Sequence, residues 1–274
     1  MNKYEVAIVT GWSNAGGSTE SYINLTNALN DNGVPTIMLG RHTYHLDKCE
    51  SGQLSDLEKY APKNMIWHFI PMPDHVQQIL RPRNLILSCH EHGLNPIFEK
   101  YPLSIFNKVH FVSQHQMDWH LGNSNKEWND TMVVIPNLLD PKLIENPPRP
   151  TKKVGGVIGS IDRNKQTHIS IMKALADGCE TVRIFGKDTD LAYHAEYVCP
   201  ILKDPRVMYH GVVEDKNKMY SSITDVYHYS AQETWGYIKA ECQYLNIPFH
   251  CRNKHDLVLT KTDDIINSWK EILI

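Results

Sequence analysis

Residues 230–241, SAQETWGYIKAE, place one glutamate just after a short apolar run, a glycine three positions on, and a second glutamate eight positions on. The run before it, DVYHYS (225–230), reads as a strand, and ETWGYIKAECQYLN (233–246) reads as a helix. Glu233 then stands at the carboxyl end of a strand, where open α/β sheets bind ligands. In that reading the backbone N–H groups of Thr234, Trp235, Gly236 and Tyr237 point toward the same crevice. With the helix starting near Thr234, Glu241 lies about two turns along it, beside Glu233. Paired carboxylates suit hydroxyl recognition, each accepting bonds from a sugar diol. A helix-start carboxylate plus one solvated glutamate is the reading these residues leave open beside it.

Outward from this stretch, strands and helices alternate. YEVAIVT (4–10) is a short, β-rich apolar run of the kind buried in parallel sheets. A glycine-bearing loop follows, then STESYINLTNALNDNG (18–33), with Tyr22, Leu25, Ala28 and Leu29 at helical spacing and Gly33 as its stop. VPTIMLG (34–40) resumes a strand, completing the unit of a doubly wound sheet. MIWHFIP, NLILSC, KVHFVS and MVVIPN continue the pattern up to residue 137. LLDPKLIENPPRPTKK (138–153) carries four prolines and reads as a linker. The pattern then restarts with KVGGVIGS and ends in the amphipathic TDDIINSWKEILI (262–274). The expected architecture is α/β with two Rossmann-like domains. The first spans residues 1–145 and is joined by the helix 262–274; the second spans 150–261.

Composition narrows the partners. The 274 residues are 41% hydrophobic and 22% charged, ordinary for globular domains. A net charge of -3 gives no global field toward nucleic acid. The six cysteines form no C-x-x-C pair, which excludes zinc-ribbon and thioredoxin readings and favours a reduced, cytoplasmic setting. No run approaches the ~20 apolar residues of a membrane helix, which leaves peripheral membrane contact open.

Three further clusters are candidates. AGGSTE offers Gly16 and Gly17 before a helix, where a tight turn and a phosphate or sugar contact are equally open readings. IGSIDRNKQTH (158–168) sets Arg163 and Lys165 just ahead of a helix, where they suit a diphosphate, although composition alone favours two solvated loop charges. HEH (90–92) puts His90 and His92 at a strand end; with no third ligand in view, no metal is expected there. DTD (188–190) reads as a solvated turn rather than a metal motif.

SAQETWGYIKAECQYLNIP resembles the donor-site motif of GT-B glycosyltransferases of the family-4 type, with Ser230, Glu233, Gly236, Glu241 and Pro248 in register. AGGSTESYINLTNALNDNG, LILSCHEHG, FVSQ, VIPNLLDP, IGSIDRNK and FGKD resemble the family's other segments, in the same order. Departures are Ser160 where the family has arginine, Gln166 in place of a glycine, Tyr229 in place of proline, and Leu245-Asn246-Ile247 before Pro248.

The resemblance implies a GT-B fold with two domains facing a central cleft. It implies a retaining transferase that uses a nucleotide-sugar donor, a UDP-sugar first, without metal or other cofactor. By resemblance Glu241 binds ribose hydroxyls and Glu233 lies by the donor sugar, with Thr234, Trp235 and Gly236 around them. Arg163 and Lys165 hold the diphosphate, Gly16 and Gly17 close over it, and His90 stands near the reacting carbon. The acceptor is a hydroxyl, of a glycan or of a hydroxymethylated pyrimidine in DNA. Arg81, Arg83 and RPTKK (149–153) are the candidate phosphate contacts for DNA, and the setting is then a host cytoplasm if the chain is phage-encoded. The alternatives are a nucleotide-sugar epimerase or hydrolase, and a non-catalytic nucleotide-sugar-binding protein of the same fold.

Overall fold

The computed structural model describes residues 3–11, 16–40, 47–60, 62–68, 82–90, 102–123, 131–252 and 257–274. The chain divides into two compact units, Met1–Asp140 with Thr260–Ile274, and Pro141–Leu259.

The first unit is built on seven parallel strands: β1 (Val6–Thr10), β2 (Thr36–Gly40), β3 (Ser51–Gln53), β4 (Asn64–His68), β5 (Asn84–Cys89), β6 (Lys108–Phe111) and β7 (Met132–Val134). They lie in the order β3-β2-β1-β4-β5-β6-β7. Every residue of β1, β2 and β4 is buried, which is why these strands read as continuous apolar runs rather than alternating ones. One face of the sheet packs around Leu39, Trp67, Leu87 and Phe111. The other is covered by α1 (Gly17–Asp31) through Tyr22, Leu25 and Leu29, and by Ile265, Ile266, Trp269 and Leu273 of the helix Thr262–Leu273. Two shorter helices, α2 (Leu57–Tyr60) and α3 (Gln114–Asn123), complete the unit among the described residues.

The second unit has five parallel strands: β8 (Val154–Ile158), β9 (Thr181–Phe185), β10 (Val207–Gly211), β11 (Asp225–His228) and β12 (Phe249–Cys251), in the order β10-β9-β8-β11-β12. Its helices are α4 (Thr167–Ala176), α5 (Leu191–Tyr193, running into a π-helical turn at His194–Val198), α6 (Lys216–Tyr220) and α7 (Tyr237–Tyr244). The helix Thr262–Leu273 is α8 and belongs to the first unit. In the second sheet the strand order reverses between β8 and β11. Such a switch point opens a crevice at the carboxyl ends of the strands.

Close approach at that edge requires glycine at one position. A Cβ on Gly186, just after β9, would fall 1.8 Å from the carbonyl oxygen of Gly159, just after β8. Gly186 also has φ of 150°, where a side chain is strained whatever the space.

Candidate functional site

The β8–β11 switch point brings together two of the residues that the sequence singles out, Lys165 and Glu233. The loop after β8 is folded on itself by Asp162: its Oδ1 accepts from the Lys165 backbone N–H at 2.8 Å and its Oδ2 from Ser160 Oγ at 2.5 Å. Ser160 therefore serves the loop rather than a ligand. The loop is also stapled to the segment after β11, because the Asn164 carbonyl accepts from Ala231 N at 2.7 Å and from Ser230 Oγ at 3.2 Å. This staple brings Lys165 and Glu233 together although they lie 68 residues apart.

Glu233 Oε1 accepts from the Lys165 ammonium and from His228 Nε2 at 2.7 Å. An ionised carboxylate only accepts, so Nε2 carries the proton in this bond. Burial pushes the Glu233 carboxyl up. The His228 hydrogen bond and the Lys165 charge outweigh it and hold the group at about 2. His228 ends β11, is 7% exposed, and has its Nδ1 3.3 Å from the Ile158 carbonyl. Within DVYHYS it reads only as a strand residue, and nothing in the sequence marks it as the partner of Glu233.

Glu241 lies on α7, 1% exposed. Its Oε1 accepts from Lys216 Nζ at 2.7 Å and its Oε2 from the Tyr220 hydroxyl at 2.5 Å. Both partners come from α6, spaced i, i+4 so that they share one face. The sequence reading missed both, because only the tertiary fold brings α6 to Glu241. Each glutamate of the pair thus carries its own lysine.

The helix does not begin near Thr234. It begins at Tyr237, because Gly236 is left-handed at φ 78° and cannot continue into a helix at its own position. Glu241 is consequently about one turn into α7 rather than two. Trp235 is 8% exposed and packs edge-on to Tyr237 with ring centroids 5.0 Å apart, and Thr234 is half-buried beside it.

Arg163 is turned elsewhere. Its guanidinium is paired with Asp190 at 3.5 Å and Glu196 at 3.8 Å, its side chain is 63% exposed, and it lies 6.0 Å over the Tyr197 ring. The structure does not bring it to the Lys165–Glu233 group. Asp188 and Asp190 are also engaged: Asp188 with His194, and Asp190 as the N-cap of α5, accepting from Tyr193 N at 3.0 Å. Among the described residues no group of three His, Cys, Asp or Glu is arranged to hold a metal ion.

The basic run 149–153 is largely occupied. Arg149 Nη2 donates to the Leu245 and Asn246 carbonyls, at 2.8 Å and 2.5 Å, and Lys152 and Lys153 pair with Glu180 and Asp177. Arg83 is exposed, while Arg81 and His92 lie outside the described residues.

In the first unit, Gly16 and Gly17 are exposed at the start of α1. Gly16 has φ 178°, an extended conformation open to any residue. His90 follows β5 and is 9% exposed, with the Tyr22 ring at 4.8 Å and the His68 ring at 5.3 Å. It lines a small cavity with Ser21, Tyr22, His110, Asn137 and Trp269. Burial, and then His68 and His110, hold its pKa well below the ordinary imidazole value. His90 is therefore a neutral hydrogen-bonding group rather than a base that gathers charge.

No protein-family model matches the sequence, and no curated protein does. Solved structures do match. Anabaena HepE, crystallised with UDP and glucose, superposes with a TM-score of 0.70 at 15% identity over 98% of this chain and 90% of its own. A glycosyltransferase from Rickettsia africae gives 0.68 at 16% over 92% and 80%. WaaG, a glycosyltransferase of lipopolysaccharide biosynthesis, gives 0.64 at 11% over 98% and 90%. At such identities the likeness concerns the fold: this chain has the two parallel-sheet domains of the GT-B architecture.

Proposed function

We propose that the chain is a glycosyltransferase that moves a sugar from a nucleoside-diphosphate sugar, UDP-linked first, to a hydroxyl acceptor. The observation that carries this reading is the lysine-bound Glu233 at the β8–β11 switch point of a GT-B fold, with a second lysine-bound glutamate, Glu241, on the helix that follows β11. HepE has been crystallised with UDP-glucose as well as with UDP and glucose, which supports the donor class.

In this reading Glu241 accepts the ribose hydroxyls. Glu233, held ionised by Lys165 and His228, is the acceptor for a donor-sugar hydroxyl. The chemical demand is to let a diphosphate leave while positive charge builds at the anomeric carbon. Lys165 and the N-terminal N–H groups of α7 meet the leaving charge. No carboxylate nucleophile is required when the acceptor attacks from the face the diphosphate leaves, and that route retains configuration. Gly16, Gly17 and neutral His90 are the first unit's candidate residues, His90 as a hydrogen-bonding group for a hydroxyl.

Thermal melting against UDP-, GDP-, ADP- and TDP-sugars tests the reading. A ligand at 100 times its Kd adds about 2.7 kcal/mol. A shift with one nucleotide class names the donor and opens an acceptor screen, with glycans and hydroxymethylated DNA included. Absence of a shift with every class would remove the reading.

A further inference from the structure

The donor-site reading leaves one feature to be explained: the Glu241 side chain, assigned to a ribose, is only 2% exposed. Its two oxygens are held from α6, Oε1 by Lys216 at 2.7 Å and Oε2 by Tyr220 at 2.5 Å. These two holders differ in place. Tyr220 is fully buried, whereas the Lys216 side chain is 22% exposed, so the solvent side of the carboxylate is the Lys216 side. A ligand reaches Glu241 past the ammonium and not past the phenol.

The chemistry of the two holders differs as well. Burial, with the Glu241 charge beside it, pushes the Tyr220 hydroxyl well above its ordinary range, so it is a permanent donor. The Cys242 thiol is likewise kept protonated by burial and by Glu241, and Tyr237 presents its ring 6.0 Å from the Lys216 ammonium. At the far end of α7, Arg149 donates to backbone carbonyls. Among these neighbours Lys216 is the cation in contact with the carboxylate. An ionised carboxylate has roughly four acceptor positions, and Tyr220 and Lys216 use one each. The others serve a vicinal diol only while the plane of the group stays fixed. A buried carboxylate stripped of one partner loses that orientation, and its desolvation goes uncompensated.

Resting on the donor-site reading, we propose that Lys216 and Tyr220 are positioning residues that make Glu241 a ribose-selective acceptor. Tyr220 holds Oε2 from the core, and Lys216 holds Oε1 from the solvent side, so that the carboxylate plane stays fixed. The ligand class is a ribonucleoside diphosphate, discriminated from its 2′-deoxy counterpart.

Calorimetric titration tests this with whichever of UDP, GDP and ADP binds tightest and with the matching 2′-deoxynucleotide. Wild-type protein is expected to favour the ribonucleotide by about tenfold or more. Tyr220→Phe should bring that ratio to within about twofold, with deoxynucleotide affinity unchanged. Lys216→Met should likewise bring the ratio to within about twofold, and Lys216→Arg should restore the wild-type preference. Thermal melting of each variant checks folding, and Glu241→Gln, nearly the same shape, stands in for a variant that does not fold: it too should lose the ribose preference. A wild-type preference that survives in Tyr220→Phe or in Lys216→Met overturns this inference alone. Wild-type protein that binds no nucleoside diphosphate overturns the donor-site reading and this inference with it.

Discussion

Lowering the pH should destabilise the first unit through His110, and the size of the effect follows from how that ring is wired. His110 is 1% exposed, on β6. Its Nε2 lies 2.8 Å from the Ile135 carbonyl, which only accepts, so Nε2 holds the proton. Its Nδ1 lies 2.8 Å from Ser88 Oγ, and Ser88 itself accepts from the Tyr22 hydroxyl at 2.9 Å. Ser88 is thus left to donate to Nδ1, and the neutral ring is fully satisfied. A second proton on Nδ1 would meet that donor head-on. Burial lowers the pKa, the Ile135 bond opposes it, and nearby His68 lowers it further, to about 4.

The unfolded chain binds a proton below an ordinary value of about 6.5, and the fold does not until about 4. Stability therefore falls as pH drops through that window and levels off below it. From pH 7.5 to pH 5 the loss assigned to His110 is about 2 kcal/mol, and in the limit about 3 kcal/mol. His90, depressed in the same direction, adds to the slope. Urea unfolding, followed by fluorescence of Trp269, whose ring is 4.6 Å from His110, reads the effect. At a typical slope the midpoint should move by about 1 M for each 2 kcal/mol. His110→Gln, which cannot take up the proton, should cost stability at pH 7.5 and recover about 2 kcal/mol of it relative to wild type at pH 5. Equal pH slopes in the two proteins would refute the argument.

Other substitutions separate the assignments. Lys165→Met should weaken nucleoside-diphosphate binding by about tenfold or more, whereas Arg163→Met should change it by less than about twofold, as calorimetry would show. His90→Ala should lower turnover while leaving donor affinity near that of wild type, in steady-state kinetics with the donor varied. Gly186→Ala sets a methyl against a backbone oxygen and should cost about 2–4 kcal/mol in urea unfolding of the second unit. Trp269→Ala removes a side chain that is 3% exposed and should cost the first unit about 3–5 kcal/mol by the same measurement.

Apart from β3, the strands of both sheets were legible, most of them because buried parallel strands are continuous apolar runs, and NLILSC coincides with β5. β3 and α3 were not legible, for different reasons. β3 is three residues, SGQ, too short for any periodicity. α3, QHQMDWHLGN, has no apolar stripe: it buries Gln116 and His120, and Gln116 Oε1 accepts from Val112 N at 2.9 Å. A helix held by polar contacts to its own start leaves no period to read. At the candidate site, Glu233, Glu241 and Lys165 were visible as residues whose spacing sets them at strand ends and helix starts. Their partners were not visible, because His228, Lys216 and Tyr220 are chosen by tertiary geometry. Arg163 looked equivalent to Lys165, yet the Asp162 turn and the Asn164 staple aim only one of the two at Glu233. The late start of α7 turned on a single backbone angle at Gly236.

The helix α8 bears on the order of synthesis. It follows the whole second unit in the chain, yet its Ile265, Ile266, Trp269 and Leu273 belong to the same buried cluster as α1 and the first sheet. On the ribosome, residues 141–259 are all made before that core can close. The unit that starts first is the one that finishes last, and until then it presents an open apolar face along α1. A chain stopped at residue 259 should therefore hold a protease-resistant second unit and a first unit that is cut within α1.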